Sequence, residues 1–394
     1  MRQHAEDGSR TWPLYDFAIP PSFIALLFCL AVSVAAPLWS QTSASTTFED
    51  VEKRATEARE AKRLEEAAAL YRQGLALKPS WQEGSWYLGT SLYGLKRYPE
   101  ARDAFRHLAL SQPGNGPAWA LAGMCEFELK EYPRAQEYLL RAESTGLGGN
   151  EELSSLVRFR IALLLNRSGD FKQARDRLLP IAAAGTYPEV IEAMGLNLLR
   201  APLLPAEIPE QDRDLYMRAG EAMNAKITHD SEGAARLFDE LVTAYPDRPN
   251  VHFARGASLM ESAPDQAMLE FQHELQLNPS DPGALLELAE LSLKQESTEK
   301  AVSYARRAVK ANPAVPVPHR VLGEALLASG DTTGAIEEFQ VAARQEPAYP
   351  QSHFLLAQAY KKAGKNLLAS KEMAEFERLD RKQKSDFSKA SPSQ

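Results

Sequence analysis

The sequence predicts an all-α protein made of stacked helix pairs. Three observations carry that prediction. Short amphipathic stretches recur in pairs, with apolar residues three and four apart. Prolines fall at a fixed interval: Pro79 to Pro113, Pro279 to Pro313 and Pro313 to Pro347 are each 34 residues apart. Small residues return at fixed places within that interval, where two helices would cross. One such pair cannot bury its apolar face alone, so the pairs stack into a solenoid in which each contacts its neighbours.

The stretch Pro316–Tyr349 shows the unit most clearly. Two helices are read from it, Pro318–Ser329 and Thr333–Gln345, joined by Gly330-Asp331. Leu322, Ala325 and Leu326 share one face of the first; Ile336, Phe339 and Ala343 share one face of the second. Gly323 and Ala325 on one helix, and Ala335 and Ala342 on the other, let the backbones approach to the short end of the ~8–10 Å packing range. Pro347 cannot continue a helix. With Pro316 as position 1, the marks are a small residue at 8, Ala at 20, an aromatic near 24, a small residue at 27 and Pro at 32.

In chain order, the unit from Thr47 has Ala55, Ala67, Tyr71, Gly74 and Pro79, and that from Gln82 has Leu88-Gly89, Ala101, Phe105 and Pro113. The unit from Gly116 has Trp119, Gly123, Ala135 and Ala142. A fourth, degenerate pair, Glu151–Asn166 and Phe171–Ala184, keeps Ala162 and Ala174 but has no Pro at position 32. A helix Pro188–Arg200 follows, then Ala201–Asp212, whose three prolines exclude a second helix. The pattern resumes with Arg213–Lys226 and Gly233–Tyr245. Units then start at Pro249, Pro282, Pro316 and Pro350, the first of these one residue short in its turn. Eight or nine pairs, depending on whether the degenerate one counts, fill Thr47 to about Leu379.

In these marks the chain resembles the tetratricopeptide repeat (TPR) family, whose pattern is W-x2-L-G-x2-Y, then A-x3-F, then P. The resemblance implies a helical-hairpin solenoid wound as a right-handed superhelix, and a binding class of function without a named partner. The expected organisation is a signal peptide or membrane anchor at 1–40, a linker at 41–46 and an N-terminal TPR array at 47–188. A register break with a Pro-rich insertion follows at 189–212, then a C-terminal array at 213–379 and a disordered polar tail at 380–394. The break separates two stacked arrays, or else is a loop tolerated on one face of a single solenoid.

The resemblance further implies that the first helix of each pair lines a concave groove, with positions 2, 5, 9, 12 and 13 facing it. The candidate peptide-binding residues at such positions are Trp86, Tyr93, Met124, Phe127, Phe253, Met260, Arg320 and Phe354. The competing expectation for each is burial by the superhelical twist. Chaperone-binding members of the family grip a C-terminal carboxylate with Lys and Asn at such positions. This chain has Glu52 and Thr56 at positions 5 and 9 of its first repeat, so that set is missing.

Composition is that of a globular chain: 394 residues, 44% hydrophobic and 25% charged. A net charge of -8 gives no nucleic-acid footprint, so the expected partner is a protein or peptide and not a nucleic acid. Cys29 and Cys125 build neither a disulfide framework nor a metal-ligand spacing. Phe23–Trp39 holds no charge over 17 residues, between a signal-peptide core and a membrane span of ~20. Pro37 and the small, polar stretch Ser40–Thr47 favour export with cleavage over a retained membrane attachment through residues 23–39, and either of these over a segment that is neither signal nor anchor. The first two both put the repeats outside the cytosol, and the remaining thiol, Cys125, is compatible with an oxidising compartment.

The sequence contains no Walker-type loop, G-x-G-x-x-G, H-E-x-x-H or G-x-S-x-G. No catalytic residue, cofactor or metal site is therefore expected, and the chain is not expected to be an enzyme. His252, His319 and His353 each fall at position 4 of their repeat, where the family often has Trp. Their expected role is packing between repeats, since no Cys or second His falls at ligand spacing beside them. The expected function is a non-catalytic protein- or peptide-binding scaffold outside the cytosol. The alternative is an accessory subunit of an envelope assembly or of a polysaccharide or protein export machine. Neither fixes an oligomeric state.

Overall fold

A computed structural model describes residues 47–185 and 187–390. The signal or anchor segment and the linker expected at 1–46 lie outside the described residues. Among the described residues there are nineteen α-helices and no strand. The chain divides into two compact units, the first ending at Ile161 and the second beginning at Ala162.

The first unit contains α1 (Phe48–Glu60), α2 (Leu64–Leu77), α3 (Gln82–Gly94), α4 (Tyr98–Ser111), α5 (Gly116–Glu128), α6 (Tyr132–Thr145) and the first part of α7 (Glu151–Ser168). Consecutive helices pair as hairpins, and one turn device recurs. Lys62, Lys96 and Lys130 each take a left-handed conformation, at φ of 58°, 58° and 63°. The next residue's N–H then reaches back to an orphan carbonyl: Arg63 to Ala58, Arg97 to Leu92 and Glu131 to Glu126, each at 2.9 Å. This bond closes the helix end. A side chain there costs ~1–2 kcal/mol, which the packed hairpin on either side sustains.

The second unit holds the rest of α7, then α8 (Phe171–Ala184), α9 (Pro188–Leu198), α10 (Arg213–Ile227), α11 (Ser231–Ala244), α12 (Val251–Leu259) and α13 (Pro264–Leu277). It continues with α14 (Pro282–Lys294), α15 (Thr298–Ala311), α16 (Pro316–Ala328), α17 (Thr332–Gln345), α18 (Pro350–Lys362) and α19 (Asn366–Ala390). The hairpin turn before α17 uses Gly330, at φ 90°, where no side chain is strained.

The small residue at position 8 and the aromatic at position 24 form one lock. Gly89 faces Phe105, Gly256 faces Phe271 and Gly323 faces Phe339; a Cβ on these glycines would come within 2.6, 2.8 and 2.6 Å of the ring. All three rings are fully buried. The missing side chain is what lets a phenyl ring lie flat between two helices.

The Pro-rich insertion joins two helices in close contact. A Cβ on Gly195 of α9 would fall on the Tyr216 carbonyl of α10, and one on Gly220 would fall on the Ile191 carbonyl. Between them the chain forms only two short 3-10 turns, Pro205–Glu207 and Glu210–Asp212, pinned by buried Ala201, Leu204 and Ile208. Buried Asn197 donates to the Asn166 side chain at 2.8 Å and to the Phe171 carbonyl at 2.7 Å, tying α7, α8 and α9 together.

The tail expected to be disordered from residue 380 differs. Helix α19 continues to Ala390, with Lys384 and Asp380 paired one turn apart at 2.8 Å. Lys, Arg and Gln in this stretch are good helix formers, so a helix can run on without an apolar face.

Candidate functional site

The structure separates the eight groove residues. In the first unit, Trp86 of α3 is half-buried and meets Phe105 edge to face, with ring centroids 5.8 Å apart. Its indole N–H has no protein acceptor. Tyr93, near the end of α3, pairs edge to face with Tyr98 at 5.3 Å. Phe127 repeats this arrangement on α5 with Tyr132 at 5.7 Å. Arg160 of α7 joins the two repeats: its guanidinium lies 4.4 Å from the Phe127 centroid and 3.4 Å from Glu128. Burial, then the Glu128 carboxylate, pushes the Tyr93 phenol well above its usual range, while Arg160 opposes the rise. Tyr93, Phe127, Glu128 and Arg160 thus form one patch.

Met124 does not belong to it. Its side chain is 2% exposed and lies in the core. Helix α5 carries no charge from Gly116 to Cys125, so it has no solvated face, and a helix apolar all round is buried all round. Next to it, Glu126 is fully buried with neither carboxylate oxygen hydrogen-bonded, and Arg102 stands 4.0 Å away. Burial raises its carboxyl above the ordinary range. Burial also raises the Cys125 thiol strongly, with Glu126 adding to the effect.

In the second unit, Phe253 of α12 lies in a cleft of ≈ 340 Å³ lined also by Lys172 and Arg175 of α8, Met223 of α10 and Glu287 of α14. Arg200 completes it. This residue leaves α9 in the left-handed region, at φ 51°, which aims its side chain into the cleft. Its guanidinium stacks 3.7 Å from the Phe253 centroid and reaches Asp281 at 3.2 Å. Asp281 in turn caps α14, accepting from the Ala284 N–H at 2.7 Å. Burial, and then Glu290, raises the Glu287 carboxyl, with Arg200 pulling the other way. Lys172 and Arg175 are exposed.

Met260, Arg320 and Phe354 do not line this cleft. Met260 packs half-buried against the cluster around Leu259 and Phe271. Arg320 pairs with Glu324 at 2.9 Å and approaches Glu290 at 4.0 Å. Phe354 leans on Phe376 with centroids 5.2 Å apart. Sequence reasoning missed Arg160, Arg200, Glu287, Lys172 and Arg175. None occupies a position that the repeat pattern marks; only the register break hinted that the chain around Arg200 is unusual.

The position-4 residues do join neighbouring repeats. Trp119 donates its indole N–H to the Pro113 carbonyl at 3.3 Å, and His252, His319 and His353 reach Pro246, Pro313 and Pro347 at 3.0, 3.0 and 3.2 Å. A ring N–H latched onto the proline carbonyl that ends the previous repeat is the shared function of Trp and His there. No described helix is long and apolar enough to cross a membrane.

A tetratricopeptide repeat profile matches residues 52–117, 88–151 and 264–316, and a TPR repeat profile matches residues 323–364. Protein O-mannosyl-transferase TMTC3 of Homo sapiens is 24% identical over 237 residues, which are 56% of this chain and 25% of that protein. The chain thus spans about a quarter of that relative's length. Among solved structures, MamA from Desulfovibrio magneticus RS-1 matches at 20% identity and TM-score 0.41, over 43% of this chain and 96% of that one. YrrB, described as a TPR protein with an unusual peptide-binding site, matches at 16% identity and TM-score 0.37, over 40% of this chain and 82% of its own. The profile matches coincide with the helix hairpins and their 34-residue register, and the chain belongs to the tetratricopeptide repeat family.

Proposed function

We propose that the protein is a non-catalytic scaffold outside the cytosol that holds a protein or peptide segment against the first helices of its repeats. The cleft at Phe253 carries this proposal. It sets a half-buried apolar floor, Phe253 of the first helix α12 and Met223, beside two exposed cations, Lys172 and Arg175, that the second helix α8 brings to the cleft. Glu287 lines the same cleft, its carboxyl raised by burial. The segment that fits has an apolar side chain for the floor and an acidic group for the cations. Selection of a displayed peptide library on the full chain should enrich acidic-apolar sequences. A selected peptide should protect α8, α9 and α12 in hydrogen exchange; basic winners, or protection confined to other helices, refute the assignment.

Placement outside the cytosol rests on the uncharged run Phe23–Trp39. A reporter that works only in an oxidising compartment, fused after Leu379, should be active; an inactive, stably expressed fusion contradicts export. The patch at Tyr93 and Phe127 gives the first unit a surface of its own. Two surfaces also suit an accessory subunit of an envelope assembly or export machine, and recovery of two different components on one chain would favour that role.

A further inference from the structure

We propose that the α12–α13 hairpin holds a divalent transition-metal ion between His252 Nδ1, the Glu270 carboxylate and His273. Ligand atoms of these three residues lie within 4.8 Å of one another. The site grows out of the histidine latch. In each of the three latches Nε2 faces a proline carbonyl, which can only accept, so Nε2 carries a proton. Nδ1 then faces a carboxylate oxygen: Glu270 at 2.6 Å, Glu338 at 2.6 Å and Glu372 at 2.7 Å. An ordinary hydrogen bond bridges such a pair, and a metal ion can take its place where a further donor stands nearby.

What differs is the residue three places after the glutamate, one turn along the second helix. In the His319 latch it is Val341, which offers no donor. In the His353 latch it is Glu375, which Arg378 holds at 2.8 and 2.5 Å. In the His252 latch it is His273, exposed, with its ring centroid 5.1 Å from that of His252. Two imidazoles and one carboxylate form a donor set that suits zinc, cobalt, nickel or copper and leaves a position open for water or a partner's side chain. The Pro246 carbonyl on Nε2 is the outer bond that holds a metal-ligating imidazole in the right tautomer. Glu274, beside His273, is committed elsewhere: it accepts from the Asn250 and Phe253 N–H groups at 2.9 and 3.2 Å. A bound ion would link α12 to α13. It would also brace the helix that bears Phe253.

The test titrates zinc into the full chain, without a histidine tag, by calorimetry, and repeats it with cobalt for its absorption spectrum. One ion per chain should bind, with a cobalt spectrum of low-symmetry nitrogen and oxygen ligation. His273→Ala, an exposed change whose fold is checked by its melting curve, should weaken zinc by more than about 10-fold. His107→Ala, at an exposed histidine on α4, should leave binding unchanged. A His273→Ala chain that binds zinc as tightly as the parent, or a parent that binds none, overturns the proposal.

Discussion

Gly323 stands where α16 crosses α17, under the ring of Phe339. A Cβ there would lie 2.6, 2.7 and 3.0 Å from three ring atoms, well inside the ~3.5–4.0 Å of ordinary carbon contact. The ring cannot swing away: it is fully buried and packs in one cluster with Leu322, Leu326, Ala335, Ile336 and Leu355. Overpacking of this kind costs ~1–3 kcal/mol, against which Ala gains ~1 kcal/mol over Gly in helix propensity. Gly323→Ala should therefore range from neutral to ~2 kcal/mol destabilising, and Gly323→Val, larger and a poorer helix former, should approach ~3 kcal/mol. Urea denaturation gives the magnitude, and native-state hydrogen exchange gives the location. Protection should fall in α14–α19 while α1–α6 keep theirs, because each hairpin depends chiefly on its neighbours. Combining Gly323→Ala with Phe339→Leu should cost less than the two changes added. A Gly323→Ala variant stabilised by ~1 kcal/mol, as at an open helical glycine, would refute the lock.

Trp86→Ala with Phe127→Ala removes two ring pairs worth ~0.5–1.5 kcal/mol each beyond area. It should melt later than Trp119→Ala, whose buried ring costs ~3–5 kcal/mol, and should weaken capture of any partner held by the first unit; melting as early as Trp119→Ala would mark both as core. Glu126 has a raised carboxyl in the fold because it is buried, so its ionisation opposes folding. Wild-type stability should fall as pH rises from ~4 through the folded value, and Glu126→Gln should be more stable at pH 7 by ~1 kcal/mol, an advantage that vanishes toward pH 4. A less stable Gln variant at pH 7 would instead mean that Arg102 holds a charged Glu126. The Cys125 thiol, buried and pushed up, should react with thiol reagents only as the chain unfolds; rapid stoichiometric labelling of the native protein would contradict its burial.

The hairpins were legible in the sequence because their causes are local. Helix α17 spans Thr332–Gln345, one residue from the expected start, with Asp331 accepting from the Gly334 N–H at 2.9 Å as its cap. Helix α16 starts at Pro316 and not at Pro318, because a proline in the first turn gives up no intrahelical bond. Met124 went wrong because groove positions are a family average, whereas α5 lacks any solvated face. Arg160, Arg200 and His273 were out of reach for another reason. Each acquires its role from a residue on another helix, and no spacing within one repeat encodes that meeting. The position-4 histidines stand between repeats as their register implies, but the carboxylates that face them from the second helix, and His273 beside one of these, become visible only in space.

The groove assignment is tested most directly by the affinity of a selected acidic-apolar peptide for the full chain, for Phe253→Ala and for Arg175→Glu, each measured beside its melting curve. Arg175 is exposed, so Arg175→Glu should melt like the parent, bind more weakly and lose part of the salt dependence of binding. Phe253→Ala should lose more than ~2 kcal/mol of affinity. Folded variants that bind the peptide as the parent does would place the binding surface away from this cleft.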